Sequence, residues 1–147
     1  MNRRLFLQKS IAITSIATAV GAGLLMPIKA FANTSEFKKI SDKTKERISN
    51  AKEGDFIFKT PTIAENGAMV PITIDASNIP AVKSIAIYVR NNKTPLSAHF
   101  EILEASASIT SRIKMAETSI ITAVVGTESG DFIQNKKIIV TLGGCGG

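Results

Sequence analysis

The chain has 147 residues and a formal net charge of +6; 44% of its residues are hydrophobic, and it has no tryptophan, one histidine and one cysteine. That length is one domain, or one domain with a targeting segment. One histidine and one cysteine exclude a metal centre built from several such ligands. With no tryptophan and no basic stripe carrying interleaved aromatics, the charge does not point to nucleic acid.

The N-terminus explains most of that charge. Arg3 and Arg4 precede Phe6, Leu7 and Lys9, and an uncharged, mostly apolar run follows over residues 11–28. Ala30-Phe31-Ala32 then supplies the small residues of a cleavage site. Residues 1–32 are therefore expected to be a signal peptide. Arg3-Arg4-x-Phe6-Leu7 matches the twin-arginine export signal, an address rather than an anchor, and the alternative is a plain secretory signal. Gln8 stands where such signals usually carry lysine. The apolar run is short of the roughly 20 residues that span a bilayer, so no permanent membrane anchor is expected. Removing Arg3, Arg4, Lys9 and Lys29 from the 18 basic residues leaves 14 against 12 acidic, a net of +2. The expected location is the periplasm.

Residues 33–54 read as a helical segment. Phe37, Ile40, Thr44, Ile48 and Ala51 recur at helical spacing and share one face, and Gly54 is a stop signal. Lys38, Lys39, Asp42, Lys45, Glu46 and Arg47 fill the polar remainder.

From residue 55 to residue 142 the period changes to two. Phe56 and Phe58, then Val70, Ile72 and Ile74, then Ile85, Ile87 and Val89, each alternate with other residues. A short run holds His99 and Phe100, and Ile109, Ser111, Ile113 and Met115 alternate again. Residues 119–125 are apolar or small throughout, as in a strand buried on both faces. A last run begins at Phe132 and ends at Leu142. About seven short strands at this spacing predict an all-β, immunoglobulin-like antiparallel β-sandwich. Asn66-Gly67, Asn91-Asn92, and Gly126 with Gly130 mark the turns, with Asn-Gly as a two-residue hairpin signal.

The sandwich shows no catalytic constellation. His99 could in principle serve a Ser–His–acid triad, but no Gly-x-Ser-x-Gly elbow accompanies it. A strand histidine reads as structural. No cofactor or phosphate loop is indicated. The carboxylates, Glu65, Glu101, Glu104 and Glu128 among them, are scattered. The chain reads as a non-enzyme.

Chemistry concentrates in residues 143–147, Gly143-Gly144-Cys145-Gly146-Gly147. Four glycines give little surface to bury and much entropy to lose, so a flexible, thin arm is expected. From Leu142 it places Cys145 about 10 Å away when extended. A free cysteine has a pKa near ~8.5, and no cation is adjacent to Cys145 in sequence, so the thiol is expected to wait on activation by others. An odd cysteine in an exported protein carries a functional thiol or pairs between chains. The alternative is therefore an exported binding module whose tail cysteine only forms an intermolecular disulfide.

The terminal GGCGG, the export signal and the strand-rich domain together resemble the SoxY family, sulfur carriers of the periplasmic thiosulfate-oxidising system. Pro61-Thr62-Ile63-Ala64-Glu65-Asn66-Gly67 with Val70-Pro71-Ile72 resembles its A-E-N-G-x-x-V-P segment. Arg112-Ile113-Lys114-Met115-Ala116-Glu117-Thr118, through Val124-Val125, resembles another. The resemblance implies a covalent sulfur carrier that holds intermediates on Cys145. It implies a heterodimer with a SoxZ-like immunoglobulin-like subunit that lacks its own signal. It also implies work with a c-type cytochrome, a sulfate-releasing hydrolase and a sulfane dehydrogenase. Residues 70–74 and 120–125 carry few charges to guard an edge, and are expected where the second subunit docks.

Overall fold

The computed structural model describes residues 35–143. The chain divides into residues 1–37 and 38–147, and of the first only Ser35, Glu36 and Phe37 are described.

Helix α1 spans Ser35–Asn50, close to the expected bounds. The expected face packs at Thr44, Ile48 and Ala51, the last two half-buried, while Ile40 is exposed. Thr44 alone is buried, and its hydroxyl turns back to the Ile40 carbonyl (2.8 Å). Arg47, assigned above to the polar face, reaches across to the sheet. Its Nε and Nη2 donate to the two Asp131 carboxylate oxygens at 3.0 and 2.6 Å, and Nη2 also donates to Ser84 Oγ at 3.2 Å. A planar guanidinium and a carboxylate meet in a two-bond fork, the strong form of this pair.

Nine strands follow among the described residues: β1 Lys52–Glu53, β2 Ile57–Lys59, β3 Ile63–Ala64, β4 Val70–Asp75, β5 Val82–Val89, β6 Leu96–Glu101, β7 Ser108–Ile113, β8 Ser119–Thr127 and β9 Gly130–Val140. They make the expected sandwich. One sheet runs β1-β9-β8-β5-β6, with β3 also on β9; the other runs β2-β4-β7. The two strands beyond the expected seven, β1 and β3, have two residues each and pair parallel to β9 at Phe132–Ile133 and Ile139–Val140. Each covers part of the outer edge of an eleven-residue strand.

The core lies between the sheets. Val70, Ile72 and Ile74 of β4 face Ile85, Ile87 and Val89 of β5 and Ile121, Ala123 and Val125 of β8, with Phe56, Phe58, Met115 and Ile138 closing the ends. Burying each large aliphatic side chain contributes about 1.5–3 kcal/mol. Strand β8 is buried on its other face too. Val124 and its register partner Ala86 are fully covered there, on the same face as Ser84, Gly126 and Asp131, which α1 engages.

Four local expectations change. Asn66-Gly67 forms no hairpin, because β3 pairs with β9 and not with β4. Asn66 is extended (φ −129°) and caps a 3-10 turn, Gly67–Met69, by accepting the Ala68 N–H. Gly126 is a strand residue beneath Arg47, where a Cβ would overlap the guanidinium. The β8–β9 turn is Glu128-Ser129, closed by Gly130 at φ +142°. Gly54 is not a helix stop but a close approach, since a Cβ there would lie 2.7 Å from Phe132 Cβ. Lastly, the charge-poor strands β4 and β8 are central. They lack charges because both their edges are paired, not because they await a partner.

Candidate functional site

The end of β9 is where the chain leaves the sandwich toward its cysteine, and it is held mainly by backbone. On one side residues 62–67 run alongside it. The Ile139 amide donates to the Thr62 carbonyl (2.9 Å) and the Thr141 amide to the Ala64 carbonyl (3.1 Å). Thr141 Oγ1 donates to the Glu65 carbonyl (3.1 Å). The Gly67 amide then donates to the Leu142 carbonyl at 2.7 Å. On the other side lie residues 115–118. The Val140 amide donates to Thr118 Oγ1 (2.9 Å), and the Met115 amide donates to the Gly67 carbonyl (2.7 Å), tying the two sides together. Gly143 passes so close to the Ala116 carbonyl that a Cβ would collide with it.

The two internal segments that carried the family resemblance thus meet as a collar around residues 139–143. Leu142 is the anchor expected from sequence, but it anchors through its carbonyl; the residue is 70% exposed. Ile63 and Ile139, neighbours in register, are also exposed, as is Met69. Gly143, expected to be part of a free arm, is instead a residue whose lack of a side chain permits contact. Cys145, Gly144, Gly146 and Gly147, like Arg3 and Arg4, lie outside the described residues.

A second feature is a recess of about 370 Å³ between α1 and the sheet, lined by Ile40, Lys43, Arg47, Ser84, His99 and Glu101 among others. His99 is half-buried here. Burial first, then the nearby charges of Arg47 and Lys43, lower its pKa below the ordinary 6.5, against an upward pull from Glu101. Its Nδ1 is buried with no hydrogen-bond partner, so no carboxylate orients it as a general base would require. The Ser84 hydroxyl already accepts from Arg47. The charges balance: Arg47 pairs with Asp131, and Lys83 with Glu128. Among the described residues, no group of three or more His, Cys, Asp or Glu comes together as a metal site. None of their helices is long and apolar enough to cross a membrane.

The fold and this site define an immunoglobulin-like sandwich whose last strand delivers a clamped backbone to a cysteine-bearing tail. The family model "Sulfur oxidation protein SoxY" matches residues 41–145, ending on Cys145. The chain belongs to the SoxY family. Its structure is similar to that of the sulfur carrier protein SoxY from Chlorobium limicola f thiosulfatophilum, at 29% identity and a TM-score of 0.58, over 69% of this chain and 99% of that one. No curated protein sequence matches the chain.

Proposed function

We propose that this chain is a covalent sulfur carrier in the oxidation of thiosulfate and other reduced sulfur, with the Cys145 thiol as the attachment point. The observation that carries the reading is the collar. The sandwich holds the backbone as far as Gly143, and the chain's one cysteine follows two residues later, at the last residue of the family match. Two extended residues span about 7 Å, so the thiol works beyond the body of the domain.

The chemistry then belongs to partners. Joining thiosulfate to a thiol as Cys–S–S–SO₃⁻ forms one S–S bond and releases one proton and two electrons. The chain offers no acceptor for those electrons, and a c-type cytochrome would take them. A hydrolase would release the terminal group as sulfate, and a sulfane dehydrogenase would oxidise what remains. A SoxZ-like sandwich subunit completes the carrier as a heterodimer. The Arg3-Arg4 signal would bring the protein to the periplasm by the twin-arginine route, and replacing both arginines by lysine should then leave it in the cytoplasm.

The test is an intact mass of the protein from its own periplasm, together with Cys145→Ser in a reconstituted thiosulfate-oxidising mixture. The wild type should carry sulfur adducts, and the serine variant should carry none and support no turnover while melting at the same temperature. Turnover by the serine variant would overturn the reading. A wild-type mass showing only a protein–protein disulfide would favour the binding-module alternative.

A further inference from the structure

The turn between β5 and β6 reads from sequence as a plain Asn-Asn turn, yet its side chains do more than close it. Asn91 Nδ2 donates to the Thr118 carbonyl (3.1 Å), and the Asn91 amide donates to Ser119 Oγ (3.0 Å). Asn92 is buried, and its amide side chain is used at both atoms. Nδ2 donates to the Lys114 carbonyl (2.7 Å), and Oδ1 accepts the Ala116 amide (3.0 Å). Those two backbone groups flank Met115, whose amide holds Gly67, and Ala116 supplies the carbonyl against which Gly143 rests.

We propose that Asn92 is a positioning residue for the carrier arm, fixing segment 114–116 so that its Met115 amide and Ala116 carbonyl set where Leu142–Gly143 leave the sandwich. The side-chain chemistry is specific. One group must donate to a carbonyl and accept from an amide two residues apart. Aspartate offers only the acceptor when ionised, alanine neither, and glutamine places both one carbon farther out. Left unmade inside the protein, those two backbone groups would favour rearrangement of the segment. The functional meaning of the position rests on the reading of Cys145 as the carrying group, but the placement itself does not.

The single native cysteine makes the test direct. Nitroxides are attached to Cys145 and to a cysteine at the exposed position Lys137, and their distance distribution is measured in the full chain. In Asn92→Ala the distribution should broaden and its mean should move by about 3 Å, the span of one released residue. Asn92→Asp, which keeps the acceptor for the Ala116 amide, should move it less and serves if the alanine variant does not fold. Thr122→Ala removes a part-buried hydrogen bond to Asn135 elsewhere in the same sheet, and should destabilise without moving the distribution. An unchanged distribution in the folded Asn92 variant, or an equal change in Thr122→Ala, overturns the proposal. Both results stand whether or not Cys145 proves to carry sulfur, which the serine variant decides separately.

Discussion

Strand β9 holds α1 and the root of the arm by opposite means. At its start, Asp131 reaches α1 through side chains alone, a two-bond fork with Arg47 that is about one-fifth exposed at each partner. At its finish, residues 139–143 are attached largely through backbone, by β3, Gly67 and the segment around Ala116. A side-chain tether depends on charge and weakens in salt. A backbone tether depends on room for two chains to approach, and is indifferent to salt. The helix can be released by ionic conditions, whereas the root of the arm can be displaced only by bulk or by losing its neighbours.

The largest effect that would test this contrast is Gly143→Val. Its side chain must push the Ala116 carbonyl aside, a backbone atom with little freedom, at a cost of about 1–3 kcal/mol. Thiol loading should also slow, because the arm leaves in a new direction. Gly144→Val, one residue beyond the collar, should slow loading but leave the melting temperature unchanged. If both variants melted like the wild type, the collar would not extend to Gly143.

Next comes the helix tether. Asp131→Ala should cost about 1–2 kcal/mol, a charged hydrogen-bonded pair discounted for its exposure. Gly126→Ala should act by the same route, since the added methyl displaces Arg47. The double variant should then lose little more than either single one. Raising salt should narrow the gap between Asp131→Ala and wild type, and should leave the Gly143→Val deficit as it was. Denaturant melts of these five proteins at two salt concentrations decide this.

The smallest effect concerns His99. Its folded pKa lies below its ordinary value because burial disfavours the charged ring. The unfolded chain therefore binds the proton first as pH falls, so stability is full above about 6.5 and declines as the medium is acidified through the folded value. His99→Gln should flatten that part of the stability curve. An unchanged slope between pH 7.5 and 5 would show that burial at the recess is not felt by the ring.

What could be read in advance follows from range. Alternation at residues 70, 72 and 74, and at 85, 87 and 89, is a local signal, and those side chains fill the core as expected. Strands β1 and β3 have two residues each, too few to show a period. Their partner is far along the chain, as in the pairing of Ile63 with Ile139. Arg47 looked solvated because Asp131 is 84 residues away. Asn66-Gly67 is a hairpin signal only if the flanking strands pair, and here they do not. The tail's glycines were legible as a motif, but the contact that requires glycine at 143 needed Ala116 beside it. Asn92 was legible as a turn residue, and nothing local revealed that both ends of its amide would be taken by the collar.

The central place of β9 also shapes the order of events in folding. It lies between β8 on one side and β1 and β3 on the other, and it supplies Asp131 to the helix. Until residues 130–140 are present, three strands lack a neighbour and α1 lacks its tether. The hairpin with β8 is local, but the contacts with β1, β3 and α1 span much of the chain, which places their closure late. The same strand runs directly into the tail that bears the thiol. Completion of the sheet and mounting of the cysteine are therefore one event: a nascent chain that stops before Gly130 has neither, and a molecule that has completed this sheet already holds the base of its arm in place.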